Sequence, residues 1–169
     1  GCRSITSVTI PDSVTTIGRE AFYGCTGELI VNCNIPDGYY YGAFYGVFYG
    51  SKFTTVTIGD SVTTIGSFAF DGCSSLTSVT IGDSVTTIGK WAFSDCSSLR
   101  SVTIPDSVKT IGEEAFFECS SLTSVYCKAT TPPALGGGAF YNNPSDPKFY
   151  VPMESVAAYK SAPHWSDYA

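Results

Sequence analysis

The sequence predicts a solenoid of stacked parallel strands, on three observations. A 23-residue unit recurs, since Cys73, Cys96 and Cys119 each open a copy of the same pattern. Each copy contains two short runs rich in β-branched residues, joined by Pro or Gly with Asp-Ser. Each copy also ends on an Ala-Phe pair, with Phe22, Phe70, Phe93 and Phe116 at that place. Self-similarity at such a period is the signature of repeat architectures, in which one unit cannot bury its apolar face alone.

The elements follow from the unit. Leu76-Thr77-Ser78-Val79-Thr80-Ile81 reads as a strand, with Val79 and Ile81 inward and Ser78 and Thr80 outward by two-residue alternation. Gly82-Asp83-Ser84 supplies a turn. Val85-Thr86-Thr87-Ile88 returns as a second extended piece, and Gly89 ends it before Ala92-Phe93 anchors an irregular or helical turn. The length falls in the range of leucine-rich repeats, so the fold class is a leucine-rich-repeat solenoid of about six repeats, with strands stacked at ~4.8 Å. The solenoid covers 1–143 and a small αβ C-terminal cap covers 144–169. In the cap, Lys148-Phe149-Tyr150-Val151-Pro152 reads as an edge strand, and Glu154–Lys160 as a short helix with Val156 and Tyr159 on one face. The chain opens inside a repeat, which suggests a truncated N-terminus.

The second unit, 25–50, departs from the pattern. Its strand is expected to keep Ile30, Cys33 and Ile35, with Asn32 and Asn34 outward. The Val-x-x-Ile piece is replaced by 39–50, where seven of twelve residues are aromatic. Phe48 stands three residues before Ser51, as Phe70 stands three before Cys73, so Phe48 is expected in the core.

Composition excludes several classes of function. The chain has 169 residues, 43% hydrophobic and 14% charged, with a net charge of −6. That is too apolar for a disordered chain and too acidic for a phosphate backbone. No apolar run approaches the ~20 residues of a membrane helix. A single His164 leaves no Ser-His-Asp or Cys-His set with support, and Glu113 and Glu114 read as solvated neighbours.

Candidate binding residues lie in two places. One is the outward strand face: Thr57, Ser78, Thr80, Ser101, Thr103 and Tyr126, nearly uncharged and suited to bonding an extended peptide or glycan. The other is Tyr39, Tyr40, Tyr41 and Tyr45, on a Gly-containing segment, where rings would stack on sugars or pack into a partner. Cys2, Cys25, Cys73, Cys96 and Cys119 share one repeat position and read as reduced core residues, while Cys33 and Cys127 replace strand residues. Asp12, Asp37, Asp60, Asp83 and Asp106 follow Pro or Gly at the turn. They read as residues bonding their own turn backbone rather than as calcium ligands. No metal or other cofactor is called for.

The unit Cys73-Ser74-Ser75-Leu76-Thr77-Ser78-Val79-Thr80-Ile81, followed by Asp83-Ser84-Val85, Ile88-Gly89 and Ala92-Phe93, resembles the BspA-like leucine-rich-repeat family of bacterial surface proteins. The segment Tyr150-Val151-Pro152 with Glu154–Lys160 is similar to the tails of such arrays. The resemblance implies an extracellular, non-catalytic protein, adhesin-like in binding host matrix proteins or other cells. Carbohydrate binding through the Tyr-rich segment, or a spacer role in a larger surface protein, are the alternatives.

Overall fold

The computed structural model describes residues 5–18, 20–38, 46–143 and 147–168. Each repeat contributes one longer strand and most contribute one two-residue strand. In chain order they are β1 (Ser7–Ile10), β2 (Thr26–Val31), β3 (Lys52–Ile58), β4 (Thr64–Ile65), β5 (Ser78–Ile81), β6 (Thr87–Ile88), β7 (Ser101–Ile104), β8 (Thr110–Ile111), β9 (Ser124–Cys127), β10 (Ala134–Leu135) and β11 (Lys148–Tyr150). Every pairing is parallel. The long strands form one face, in the order β1-β2-β3-β5 and then β7-β9-β11, and the short strands form another, β4-β6-β8-β10.

The register converts sequence columns into ladders. Val56 pairs with Val79, Val102 with Val125, and Ile104 with Cys127, so Cys127 does hold an Ile position. Between the faces the phenylalanine of the Ala-Phe pair, with Phe48 after Val47 in the second unit, builds a buried ring stack. Phe48, Phe70, Phe93, Phe116 and Phe140 lie 4.7–5.2 Å apart, centroid to centroid, with planes within 13°. All five are buried, which supplies much of the hydrophobic driving force. Gly89 shows how tightly repeats stack, because a Cβ there would meet the Ser67 backbone nitrogen at 2.5 Å.

The second unit takes a different register from the one its sequence suggests. Its strand is β2, and Leu29 and Val31 occupy the inward positions, paired with Val56 and Ile58. Ile30 therefore points outward beside Thr9 and Thr57, and Glu28 stands beside Ser7 and Thr55. Cys33 lies outside the strand, though buried. Ile35 bridges Ile65 and so supplies the short-strand position. The physical reason is that the turn between them is three residues shorter here, Val31 to Ile35 against Ile58 to Ile65. Asn34 fills in for the missing backbone, its Oδ1 accepting from Thr63 N and Thr64 N at 2.8 and 3.2 Å. Asp37 consequently falls after the short-strand position, where its Oδ1 accepts from Ser67 N, and it is not part of the turn Asp column.

The long-strand face is interrupted between β5 and β7, and the sequence accounts for the gap. At the strand entry a threonine hydroxyl donates to the preceding repeat's carbonyl: Thr26 to Ile5, Thr54 to Gly27, Thr77 to Thr54 and Thr123 to Arg100, at 2.9–3.2 Å. Arg100 holds that place in the unit between Thr77 and Thr123 and has no hydroxyl to give. At the strand exit, Asn32 and Lys128 donate backbone N–H groups to Ile10 and Ile104, whereas Pro105 has none. The β5–β7 junction thus lacks the hydroxyl donor at its entry and the backbone donor at its exit. On its β5 side Val79 and Ile81 are each 7% exposed, and on its β7 side Val102 and Ile104 are 1%.

Every repeat but the second has two left-handed backbone positions around its Ala-Phe pair. Phe68, Trp91 and Glu114 have φ of 58°, 58° and 53°, and Gly72, Asp95 and Glu118 have 70°, 56° and 53°. They fold the segment around Ala-Phe into consecutive tight turns rather than a helix.

The C-terminal residues cover the last repeat. A 3-10 turn (Met153–Ser155) leads into α1 (Val156–Ser161), and a second 3-10 turn spans Trp165–Tyr168. Phe149 and Tyr168 meet Phe140 edge-on at 5.1 and 5.7 Å, which ends the ring stack. Tyr159 Oη donates to the Ala129 carbonyl at 3.0 Å, and Trp165 Nε1 to the Pro133 carbonyl at 2.8 Å. Tyr159 is buried, but Val156 remains 39% exposed, so the two do not share one buried face.

Candidate binding face

Strand alternation turns two columns outward. The first runs Ser7, Glu28, Thr55, Ser78 and continues past the gap as Ser101, Ser124, Lys148. The second runs Thr9, Ile30, Thr57, Thr80 and continues as Thr103, Tyr126, Tyr150. Ser78, Thr80, Ser101 and Thr103 are exposed and Thr57 is half-buried. The expected residues therefore come together on one face, with Glu28 and Ile30 standing where Asn32 and Asn34 were expected. Ladder hydroxyls such as Thr77 and Thr86 donate to the neighbouring repeat. Those of Thr57, Ser78, Thr80, Ser101 and Thr103 make no side-chain hydrogen bond among the described residues, so the fold leaves them available.

Tyr126 has a partner that the sequence reading did not single out. Tyr150 in β11 pairs with it, and the rings stack at 4.7 Å and 12°. They are 43% and 46% exposed. The signal was present, since alternation in Lys148-Phe149-Tyr150 turns Tyr150 to the same side as Tyr126 once β11 joins β9. Tyr39, Tyr40, Tyr41 and Tyr45 lie outside the described residues. Phe48 beside them is buried in the ring stack, as its spacing predicts.

The cysteine column does structural work of a specific kind. Cys73, Cys96 and Cys119 Sγ donate to the carbonyls of Phe48, Phe70 and Phe93 at 3.4, 3.3 and 3.1 Å. Buried Cys25 and Ser51 hold the same place in earlier repeats. Asn143 holds it in the last, its Nδ2 donating to Phe116 and Phe140 carbonyls. Cys33, Cys73, Cys96, Cys119 and Cys127 are free thiols. Burial pushes Cys73, Cys119 and Cys127 up to about 12 and Cys96 well up as well, which removes them from thiolate chemistry. Cys2 lies outside the described residues.

One turn aspartate, Asp60, bonds to the next repeat rather than within its own turn. Asp60 Oδ1 accepts from Asp83 N at 3.0 Å. Among the described residues no group of three or more His, Cys, Asp or Glu side chains is placed to hold a metal ion. A separate acidic row runs along the tight turns. Burial, chiefly, lifts Asp71 to about 6 and raises Asp95, whose neighbour Glu118 adds to the effect. Glu113 is paired with Lys90 Nζ at 2.5 Å rather than simply solvated. His164 is exposed in the cap, 3.8 Å from Asp167. No described helix is long and apolar enough to cross a membrane.

Comparison with known proteins agrees with this architecture. The profile of the BspA type leucine rich repeat region matches residues 1–46 and 44–160, in six copies. No curated protein matches the chain. A leucine-rich repeat protein from Bacteroides ovatus is 29% identical, with a TM-score of 0.60 over 89% of this chain and 43% of its own. The T. pallidum leucine-rich repeat protein TpLRR is 27% identical, with a TM-score of 0.58 over 80% of this chain and 53% of its own. The chain thus spans about half the length of these structures. Proteins of this family are typically non-catalytic and surface-associated in bacteria. By its repeat, its stacked parallel sheets and the match over nearly its whole length, the chain belongs to the BspA-type leucine-rich-repeat family.

Proposed function

We infer that this chain is a non-catalytic, extracellular interaction module that binds an extended segment of another protein across its long-strand face, as an adhesin does with host matrix or another cell surface. One observation carries the reading: the stacked Tyr126–Tyr150 pair, half-exposed at the end of a hydroxyl-rich, nearly uncharged face. Tyrosine offers a broad apolar ring and a polar tip, which is why it anchors interfaces. Mutual stacking already fixes both rings, so a partner docking on them orders little that is free. The unspent hydroxyls of Thr80 and Thr103 lie along the same column for hydrogen bonds to a peptide backbone.

The test immobilises the chain and screens it against host matrix and plasma proteins. Thr80→Glu, Thr103→Glu and the double variant Tyr126→Ala/Tyr150→Ala should each weaken a hit at least tenfold. A hit indifferent to all three would refute this site. Silence on the panel, with the chain folded, would leave the spacer role. The glycan reading through Tyr39, Tyr40, Tyr41 and Tyr45 needs its own variant. Deleting through Phe48 would remove a core ring, so the clean change is Tyr39, Tyr40 and Tyr41 to Ala.

A further inference from the structure

A concave site lies away from the strand face, where the cap meets the last repeat. It is an open cleft of about 720 Å³, lined by Tyr141, Asn142, Pro147, Phe149, Asp167 and Tyr168 among others. That volume falls within the range of small-molecule sites. Its walls are aromatic: Tyr141 is 66% exposed and continues a surface row of rings through Phe117, 6.3 Å away, and Trp91. Phe149 and Tyr168 stand on the other side, in contact with each other at 5.2 Å.

The polar groups are biased toward accepting. Asn142 spends an Nδ2 proton on Glu118 Oε1 at 2.8 Å, which fixes the amide and leaves Oδ1 as an acceptor. Asp167 is exposed, and among the described residues its carboxylate meets His164 at 3.8 Å. Tyr168 Oη accepts from Phe140 N at 3.2 Å and retains its own proton. Asn143 also lines the cleft, but its Oδ1 is shielded from solvent and stays outside the acceptor set. Among the described residues no lysine or arginine lines the cleft.

We propose that this cleft between the last repeat and the cap binds a neutral saccharide. The ligand the lining asks for has an apolar ring face to lie against Tyr141 and several hydroxyl donors for Asn142 and Asp167, and it fills hundreds of cubic ångströms. A sugar of one to three rings has all three properties. An anion is disfavoured by Asp167 and Glu118. A single lysine side chain satisfies the carboxylate but leaves most of the space empty.

Saturation-transfer NMR on the full chain tests this with free hexoses, N-acetylhexosamines and their disaccharides at about 10 mM, enough to populate a site with Kd near 1 mM. Transfer to the ring C–H protons of at least one sugar is expected. Tyr141→Ala and Asp167→Asn should each raise Kd at least tenfold without lowering the melting temperature, because both side chains are exposed. Tyr126→Ala/Tyr150→Ala should leave the sugar signal unchanged, which separates this site from the strand-face reading. The proposal is overturned if no sugar shows transfer, if both cleft variants bind normally, or if lysine methyl ester binds while every sugar fails.

Discussion

Arg100 interrupts the threonine ladder at the one junction where the long strands do not pair, so Arg100→Thr should mend it. The new hydroxyl would stand before the Thr77 carbonyl as Thr77 stands before Thr54, at 2.9 Å, and as Thr123 stands before Arg100, at 3.2 Å. A neutral hydrogen bond of this kind contributes ~0.5–1.5 kcal/mol net. The Thr77 carbonyl is at the surface, so the gain lies at the low end, ~0.5–1 kcal/mol. Threonine also favours a strand more than arginine does. For a chain of this size that gain raises the melting temperature by about 1–4 °C. Differential scanning calorimetry reads it, and hydrogen exchange at Ser101–Ile104 should slow because β7 gains a neighbour. Thr123→Val supplies the opposite sign, removing a ladder hydroxyl while keeping the β-branch. If Arg100→Thr lowers stability, or if Thr123→Val costs nothing, the ladder does not hold the repeats together and the gap has another cause.

Phe93 sits mid-stack with no exposure, so Phe93→Ala should cost about 3–5 kcal/mol in urea unfolding, against a much smaller loss for Phe117→Ala at the half-buried surface row. Asp71 binds its proton more tightly folded than unfolded, about 6 against 3.8. Its contribution is present below the unfolded value and lost as pH rises through about 6. Asp71→Asn should therefore match the parent at pH 3.5 and melt higher at pH 7. Cys73, Cys96 and Cys119 should resist iodoacetamide at pH 8 in the folded chain and react fully in guanidinium, as read by peptide mass spectrometry.

What the sequence made legible was whatever the repeat copies faithfully. The strand Ser78–Ile81, the return strand Thr87–Ile88 and the Phe column follow from alternation and spacing, and so does buried Phe48. The shift of the second unit did not follow. Thr26–Val31 contains two inward residues, Leu29 and Val31, but a Cys-Asn-Ile run just beyond it offers the same alternation. Only the three-residue shortening of the turn, closed by Asn34, selects between them. The left-handed turns were hidden for a related reason. Gly24, Gly50 and Gly72 mark the position in early repeats, but Asp95, Glu118 and Asn142 replace glycine later. On the binding face the columns were readable and the Tyr126–Tyr150 stack was not, because it depends on β11 joining β9 from outside the repeat.

The hydroxyls of this protein divide into two classes, and the division yields the sharpest test of function. Thr54, Thr77, Thr86 and Thr123 each give a proton to the preceding repeat. Thr80 stands three positions beyond Thr77, in β5, and Thr103 three beyond Arg100, in β7; neither hydroxyl bonds another described residue. A composition merely copied with the repeat makes no distinction between the classes in binding, only in stability. A binding face adds a distinction in affinity, carried by the class that does not hold the repeats. Thr80→Val/Thr103→Val should therefore leave stability within ~0.5 kcal/mol and weaken a protein partner. Thr77→Val/Thr123→Val should cost about 1–2 kcal/mol across two lost bonds and leave affinity intact while the chain is folded. Melting curves and surface plasmon resonance on the parent and the two double variants measure both. If the Thr80/Thr103 pair is silent in binding, the face is a solvated surface and the tyrosine pair alone must hold any partner.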